Sequence, residues 1–180
     1  MWVYLNGEIL EAEKAKISPL DRSFTFGDGV YEVIPSYNKE LFLFDEHLER
    51  FKSSLNKTFI PIPNEIYNLK GILQELHTKN NFLNQSFYIQ ISRGVQDIRN
   101  HQAAANIVPS VFITSQDLEI NPYRENPNRD GLKVRLEDDI RWQRCDIKTT
   151  ALMGNILSMH DPSLDKVDEI ILSKEGLSLI

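Results

Sequence analysis

Lys148 stands in "RCDIKTTALMGN", Arg144 to Asn155, between Ile147 and a run of small hydroxyl and apolar residues. A lysine flanked by Ile147, Leu152 and Met153 at the start of a helix is desolvated, and desolvation favours the neutral amine that attacks a carbonyl carbon. That is Schiff-base chemistry, but the chain has 11 lysines, so Lys148 needs support from other residues. In "SRGVQDIRNH", Arg99 and His101 fall close together in a loop. An arginine fork can hold a carboxylate in two bonds and a histidine can add a third; an ordinary polar loop is the competing reading. In "DEHLER", His47 and Arg50 are three apart and share a helix face, which alone also fits solvated surface. "FGDGVYEV" has two glycines before a strand, with Glu32 where a third glycine would be needed, so it is not a dinucleotide fingerprint. It is a tight turn, either structural or one that presents Tyr31 to a cleft.

The elements that must carry these residues follow from periodicity. "WVYLNGEIL" predicts a hairpin around Asn6-Gly7, and "VYEVIPSYNKELFLF" a second with Asn38-Lys39 at the turn. Asp45 is the expected N-cap of a helix through "EHLERFKSSLNK", with Leu48, Phe51 and Leu55 on one face. A helix is expected from Asn64 to about Lys79, its apolar stripe made by Ile66, Leu69, Ile72, Leu73 and Leu76. "SFYIQISRG" and "SVFITSQDL" predict two strands. The fold class is therefore α+β: residues 1–118 form a small antiparallel sheet with helices, and the Pro- and Asn-rich stretch 119–131 is an interdomain linker. Residues 132–180 then supply a strand at "LKVRLED", a short helix from Thr149 or Thr150 to about Met159, and a strand at "DEIILSK". "DEIILSKEGLSLI" has the form of a hairpin whose second strand has barely begun, so the chain is expected to be cut short, with Leu177, Leu179 and Ile180 exposed at its end.

Composition narrows the function classes. A formal net charge of -6 and scattered arginines argue against nucleic acid as a partner. No segment has the roughly 18 consecutive apolar residues of a membrane span, and the first ten residues lack the form of a signal peptide, so a cytoplasmic protein is expected. The single cysteine, Cys145, cannot form an internal disulfide and has no metal-ligand spacing around it, so no metal is expected.

Taken in register, "FGDGVYEV", "EHLER", "RG" followed by "RNH", and "RWQRCDIKTTALMGN" resemble the fold-type IV pyridoxal-phosphate enzymes, and within them the D-amino-acid aminotransferases. The resemblance runs from the first residues to about Gly176. It implies that Lys148 carries pyridoxal 5'-phosphate through a Schiff base and shuttles the substrate proton. It implies that Arg50 binds the cofactor phosphate, and that Tyr31, Arg99 and His101 trap the substrate carboxylate, assembled across a homodimer interface. The implied reaction turns D-alanine and 2-oxoglutarate into pyruvate and D-glutamate. It also implies that residues 132–180 begin a larger mixed α/β-barrel-like domain that the chain leaves incomplete.

Two small departures stand out. One extra residue lies between Arg93-Gly94 and Arg99, and Thr149-Thr150 is unlike the pattern expected after the lysine. The larger one is length, since family members continue beyond this point and supply the pyridine-nitrogen partner and most of the phosphate cup. Weak activity is therefore expected unless another chain completes the site. A lyase acting on aminodeoxychorismate, a branched-chain aminotransferase of the same fold, and a non-catalytic truncated product are the alternatives.

Overall fold

The computed structural model describes residues 1–119, 130–160 and 167–174, and the backbone of 177–179. Its described residues fall into two compact units: 1–119 with 146–151, and 130–145 with the residues from 152 onward. The division drawn from sequence keeps 132–180 together, whereas 146–151 folds with the first unit. The linker stretch lies almost wholly outside the described residues, as do the side chains of Leu177 and Leu179 and all of Ile180.

The first unit is a six-stranded sheet. Strands β1 (Trp2–Leu5) and β2 (Glu8–Glu11) form the first hairpin; Asn6 and Gly7 at its turn have φ of 46° and 101°. β3 (Gly29–Tyr37) and β4 (Glu40–Leu41) form the second, with Asn38 and Lys39 also at positive φ. β5 (Gln85–Ser92) and β6 (Ser110–Asp117) complete the order β2-β1-β6-β5-β3-β4, with every neighbouring pair antiparallel.

Period-two alternation decides the faces of this sheet. Val30, Glu32, Ile34 and Ser36 of β3 and Gln85, Phe87, Ile89 and Ile91 of β5 are buried, while Tyr31, Val33, Tyr88 and Gln90 occupy the other, half-covered face. Two helices supply the core: α2 (Phe44–Thr58) packs on β3, and α3 (Leu69–Asn80) packs on β1 and β6. Phe51 and Leu55 are buried, with Leu48 packed against them, and all five residues of the predicted α3 stripe are buried. The first turn of that stripe, Asn64–Asn68, is a 3-10 helix rather than α-helix.

Three local expectations are corrected. Asp45 is not the N-cap of α2: Leu43 holds that position at φ 46° with no side-chain cap, and Asp45 and Glu46 lie in the first turn. There their charges favour the helix dipole. A five-residue helix before β3, α1 (Arg22–Phe26), was not anticipated; Asp21 caps its N-terminus through Ser23 N, and Gly27 ends it in the left-handed region at φ 68°. The helix after Lys148, α4 (Met153–His160), begins at Met153 rather than at Thr149 or Thr150. In the second unit β7 (Val134–Asp138) pairs in parallel with β8 (Glu169–Lys174), and β9 (Leu177–Leu179) pairs antiparallel with β8, giving the backbone of the expected terminal hairpin.

Candidate active site

β4 covers only the far end of β3, and residues 147–150 fill the vacant edge at the near end. Tyr31 N donates to Lys148 O at 3.0 Å, Thr150 N donates to Gly29 O at 3.0 Å, and Val30 and Thr149 form an antiparallel bridge. This strap is why a lysine can follow Ile147. Alternation turns Ile147 into the core at 6% exposure and sends Lys148 to the opposite side, where its Nζ lies 4.3 Å from the centre of the Tyr31 ring. A cation over an aromatic face is held by the ring quadrupole. From the helix side, Ser54 of α2 accepts a 3.3 Å hydrogen bond from Lys148 N. Thr149 and Thr150 close the strap by donating their hydroxyls to Gly29 O, and Thr150 also to Gly27 O. The residues that depart from the expected pattern thus fasten the strap. Met153, expected to desolvate the amine, is 65% exposed; the Tyr31 ring takes that place.

Tyr31 is itself braced. Its ring stacks on Tyr88 with centroids 5.4 Å apart, and Tyr88 Oη donates to Gln90 Oε1 at 2.8 Å. Burial, with a smaller contribution from Tyr31, pushes the Tyr88 phenol up to about 12.

Arg50 meets β3 one residue further on. Its Nε donates to Glu32 Oε2 at 2.8 Å and its Nη2 to Glu32 Oε1 at 2.6 Å, a two-bond clamp that holds the guanidinium plane. Glu32 is fully buried, and His47 Nδ1 lies 3.2 Å from the same Oε1. Burial pushes the Glu32 carboxyl up, but the bonds from Arg50, from Val33 N and from His47 outweigh it and hold the group below its ordinary value. Glu32 in turn raises the Arg50 guanidinium. The Arg50 side chain nevertheless stays 56% exposed. His47 and Arg50 therefore share a face, as their spacing predicts, but the face is built on a buried acid. Sequence reasoning missed this role of Glu32; the signal that could have found it is a carboxylate in register with Val30 and Ile34, which demands a partner.

Arg99 and His101 form a second cluster. Both gather on Phe26 at the end of α1, with the Arg99 guanidinium 4.4 Å and the His101 ring 5.4 Å from the Phe26 centroid. Among the described residues no hydrogen bond, ion pair or ring contact joins them to Tyr31 or Lys148. The loop is tied to the sheet by charge: Asp28 accepts from Arg22 Nε and Arg93 Nε, each at 2.7 Å, and Arg93 also donates to the carbonyls of Thr58 and Phe59 at the end of α2. Burial pushes the Asp28 carboxyl up, and Arg93 and Arg22 together hold it below its ordinary value.

The chemistry of this donor set suits pyridoxal phosphate at two ends. Arg50 offers outward N–H donors to a phosphate, and the Lys148 amine, without an ion pair or hydrogen bond among the described residues, is open to a carbonyl.

The class IV aminotransferase family matches residues 29–178, and this chain belongs to it. That class depends on pyridoxal phosphate. Within it, the chain is 36% identical over 174 residues to a D-alanine aminotransferase of Listeria monocytogenes serotype 4b (strain F2365), covering 97% of this chain and 60% of that protein. It is 38% identical over 156 residues to a D-alanine aminotransferase of Staphylococcus haemolyticus, covering 87% of this chain and 54% of that protein. The chain thus spans less than two thirds of the length of these relatives.

Solved structures show the same fold. A branched-chain aminotransferase from the thermophilic archaeon Thermoproteus uzoniensis, with norvaline, aligns with a TM-score of 0.77 at 20% identity, over 97% of this chain and 60% of that one. A hypothetical aminotransferase from Mycobacterium tuberculosis in its PLP-bound form aligns with a TM-score of 0.76 at 17% identity, over 97% and 62%. Among the described residues no helix is long and apolar enough to cross a membrane.

Proposed function

We propose that this chain serves pyridoxal-phosphate-dependent transamination of D-amino acids, in which D-alanine gives its amino group and 2-oxoglutarate receives it, in a cytoplasmic homodimer. The observation that carries this reading is the placement of Lys148. Its main chain is pegged to β3 and α2, while its amine lies 4.3 Å from the Tyr31 ring with no competing ion pair among the described residues. When bound, the cofactor supplies an electron sink for the bond broken at the substrate Cα. Lys148 Nζ holds the cofactor and takes and returns the Cα proton. Arg50, aimed by Glu32, holds the phosphate. Tyr31, Arg99 and His101 bind the substrate carboxylate, the first from beside the lysine and the others from the Phe26 cluster.

The D-alanine reading is supported by relatives at 36% and 38% identity. Branched-chain aminotransferases occur among the structural neighbours at 20% and 19% identity, which speak to the fold alone. The deciding experiment mixes the purified protein with pyridoxal phosphate and 2-oxoglutarate, and compares D-alanine with L-valine as donor. Pyruvate formation from D-alanine, with a cofactor absorbance band that Lys148→Ala abolishes, is the expected result. Turnover of L-valine alone would favour the branched-chain alternative, and absence of the absorbance band would sink both.

A further inference from the structure

Arg22 is 4% exposed, and its guanidinium makes more contacts than ion pairing requires. Nε donates to Asp28 Oδ2 at 2.7 Å, a carboxylate that Arg22 shares with Arg93. The remaining donors turn to a single loop: Nη1 donates to Asn100 O at 2.6 Å and to Gln96 Oε1 at 3.4 Å, and Nη2 donates to His101 O at 3.0 Å. Gln96 extends the hold, accepting from Ala104 N at 3.0 Å and donating to Ile98 O at 2.8 Å.

One turn along α1, Phe26 provides the side-chain seat. The guanidinium of Arg22 lies 4.7 Å from the Phe26 centroid, and the side chains of Arg99 and His101 gather on the same ring. Arg22 thus fixes the backbone at Asn100 and His101, Gln96 fixes it on either side at Ile98 and Ala104, and Phe26 seats the side chains. A planar fork with several donors at set angles can do this; a lysine, a point charge on a flexible stem, cannot.

We propose that Arg22 is a positioning residue for carboxylate recognition, setting the geometry of Arg99 and His101 through the carbonyls of Asn100 and His101. The proposal rests on the reading of Arg99 and His101 as the carboxylate trap, and deepens it by naming what holds the trap in shape. Arg22 touches neither Lys148 nor Arg50, so cofactor capture and carboxylate capture separate.

The test is Arg22→Lys, which keeps the charge on Asp28 and loses the fork. Hydrogen exchange is measured first, without substrate. Amides of residues 96–104 are expected to exchange roughly tenfold faster, while those of β3 and β5 keep wild-type protection. In the assay, KM for D-alanine is expected to rise about tenfold with kcat within about twofold of wild type and the cofactor band unchanged. Loop exchange at the wild-type rate overturns the proposal, whether or not the protein turns over. Faster loop exchange with an unchanged KM leaves Arg22 a structural tie and overturns its role in recognition. Absence of D-alanine turnover in the unmutated protein refutes the parent reading, and with it this role, whatever the loop exchange of Arg22→Lys. Should Arg22→Lys lose its fold, Phe26→Leu removes the seat and keeps the hydrogen bonds, and the same KM-against-kcat split decides.

Discussion

Glu32 occupies a buried register position of β3 where alternation asks for an apolar side chain, and its carboxylate aims Arg50 outward from the core. Removing its charge while keeping its shape isolates that role. Glu32→Gln is expected to cost about 1–3 kcal/mol in urea unfolding at neutral pH, because Arg50 and Val33 N lose a charged acceptor. The pH dependence has a definite sign. The folded Glu32 carboxyl lies below its unfolded value, so its stabilisation is present above about pH 4.3 and is lost as pH falls through the folded value. In Glu32→Gln that part of the acid limb should be missing. At this scale Lys148, Arg50, Tyr31, Arg99 and His101 could be proposed as site residues from sequence because they are unusual residues in recognisable company; of the five, the structure brings Lys148 to Tyr31 and Arg99 and His101 to Phe26. Glu32, Arg22 and Ser54 could not be, since their importance comes from partners 18, 78 and 94 positions away.

Among the elements, the hairpins were legible because Asn-Gly and Asn-Lys turns accept positive φ, and α3 because five apolar residues share its stripe. α1 escaped notice because five residues are too few for helical periodicity to register, although Asp21 and Gly27 mark its two ends. The strap was mistaken for the start of α4 because "KTTALMGN" carries no breaker before Met153; its extended form comes from pairing with β3, a tertiary effect. Gly29 makes that pairing possible. A Cβ there would lie 3.1 Å from Ile91 O and 3.2 Å from Thr150 Oγ1. Gly29→Ala should therefore cost about 1–3 kcal/mol in thermal or urea unfolding and loosen the strap, seen as faster exchange of the Tyr31 and Thr150 amides.

For the whole molecule, several buried groups together shape the pH range of stability. His77 of α3 is 7% exposed, and burial pushes its imidazole below its ordinary value. The fold thus favours the neutral ring, and stability is lost as pH falls from about 6.5 through the folded value. Glu32 and Asp28 add a second loss below about pH 4.3. Burial raises the Tyr4 and Tyr88 phenols to about 12, so their contribution is intact below about pH 10 and is lost as pH climbs toward 12. Thermal midpoints measured across pH are expected to be highest between about 7 and 10, and His77→Gln should flatten the first acid shoulder while leaving the second. A flat profile from pH 5 to 7 in the parent protein would contradict the buried-imidazole assignment.

One feature of the strap reaches beyond catalysis and stability. Lys148 O and N bind Tyr31 and Ser54, whereas among the described residues its amine meets only an aromatic ring. The scaffolding atoms of the residue are thus common to every amino acid except proline, and the atoms proposed to react belong to lysine alone. A lineage can exchange the side chain at this position without redrawing the fold around it. On the proposed reading, a single codon change there would end the chemistry and leave the strap's main-chain bonds in place.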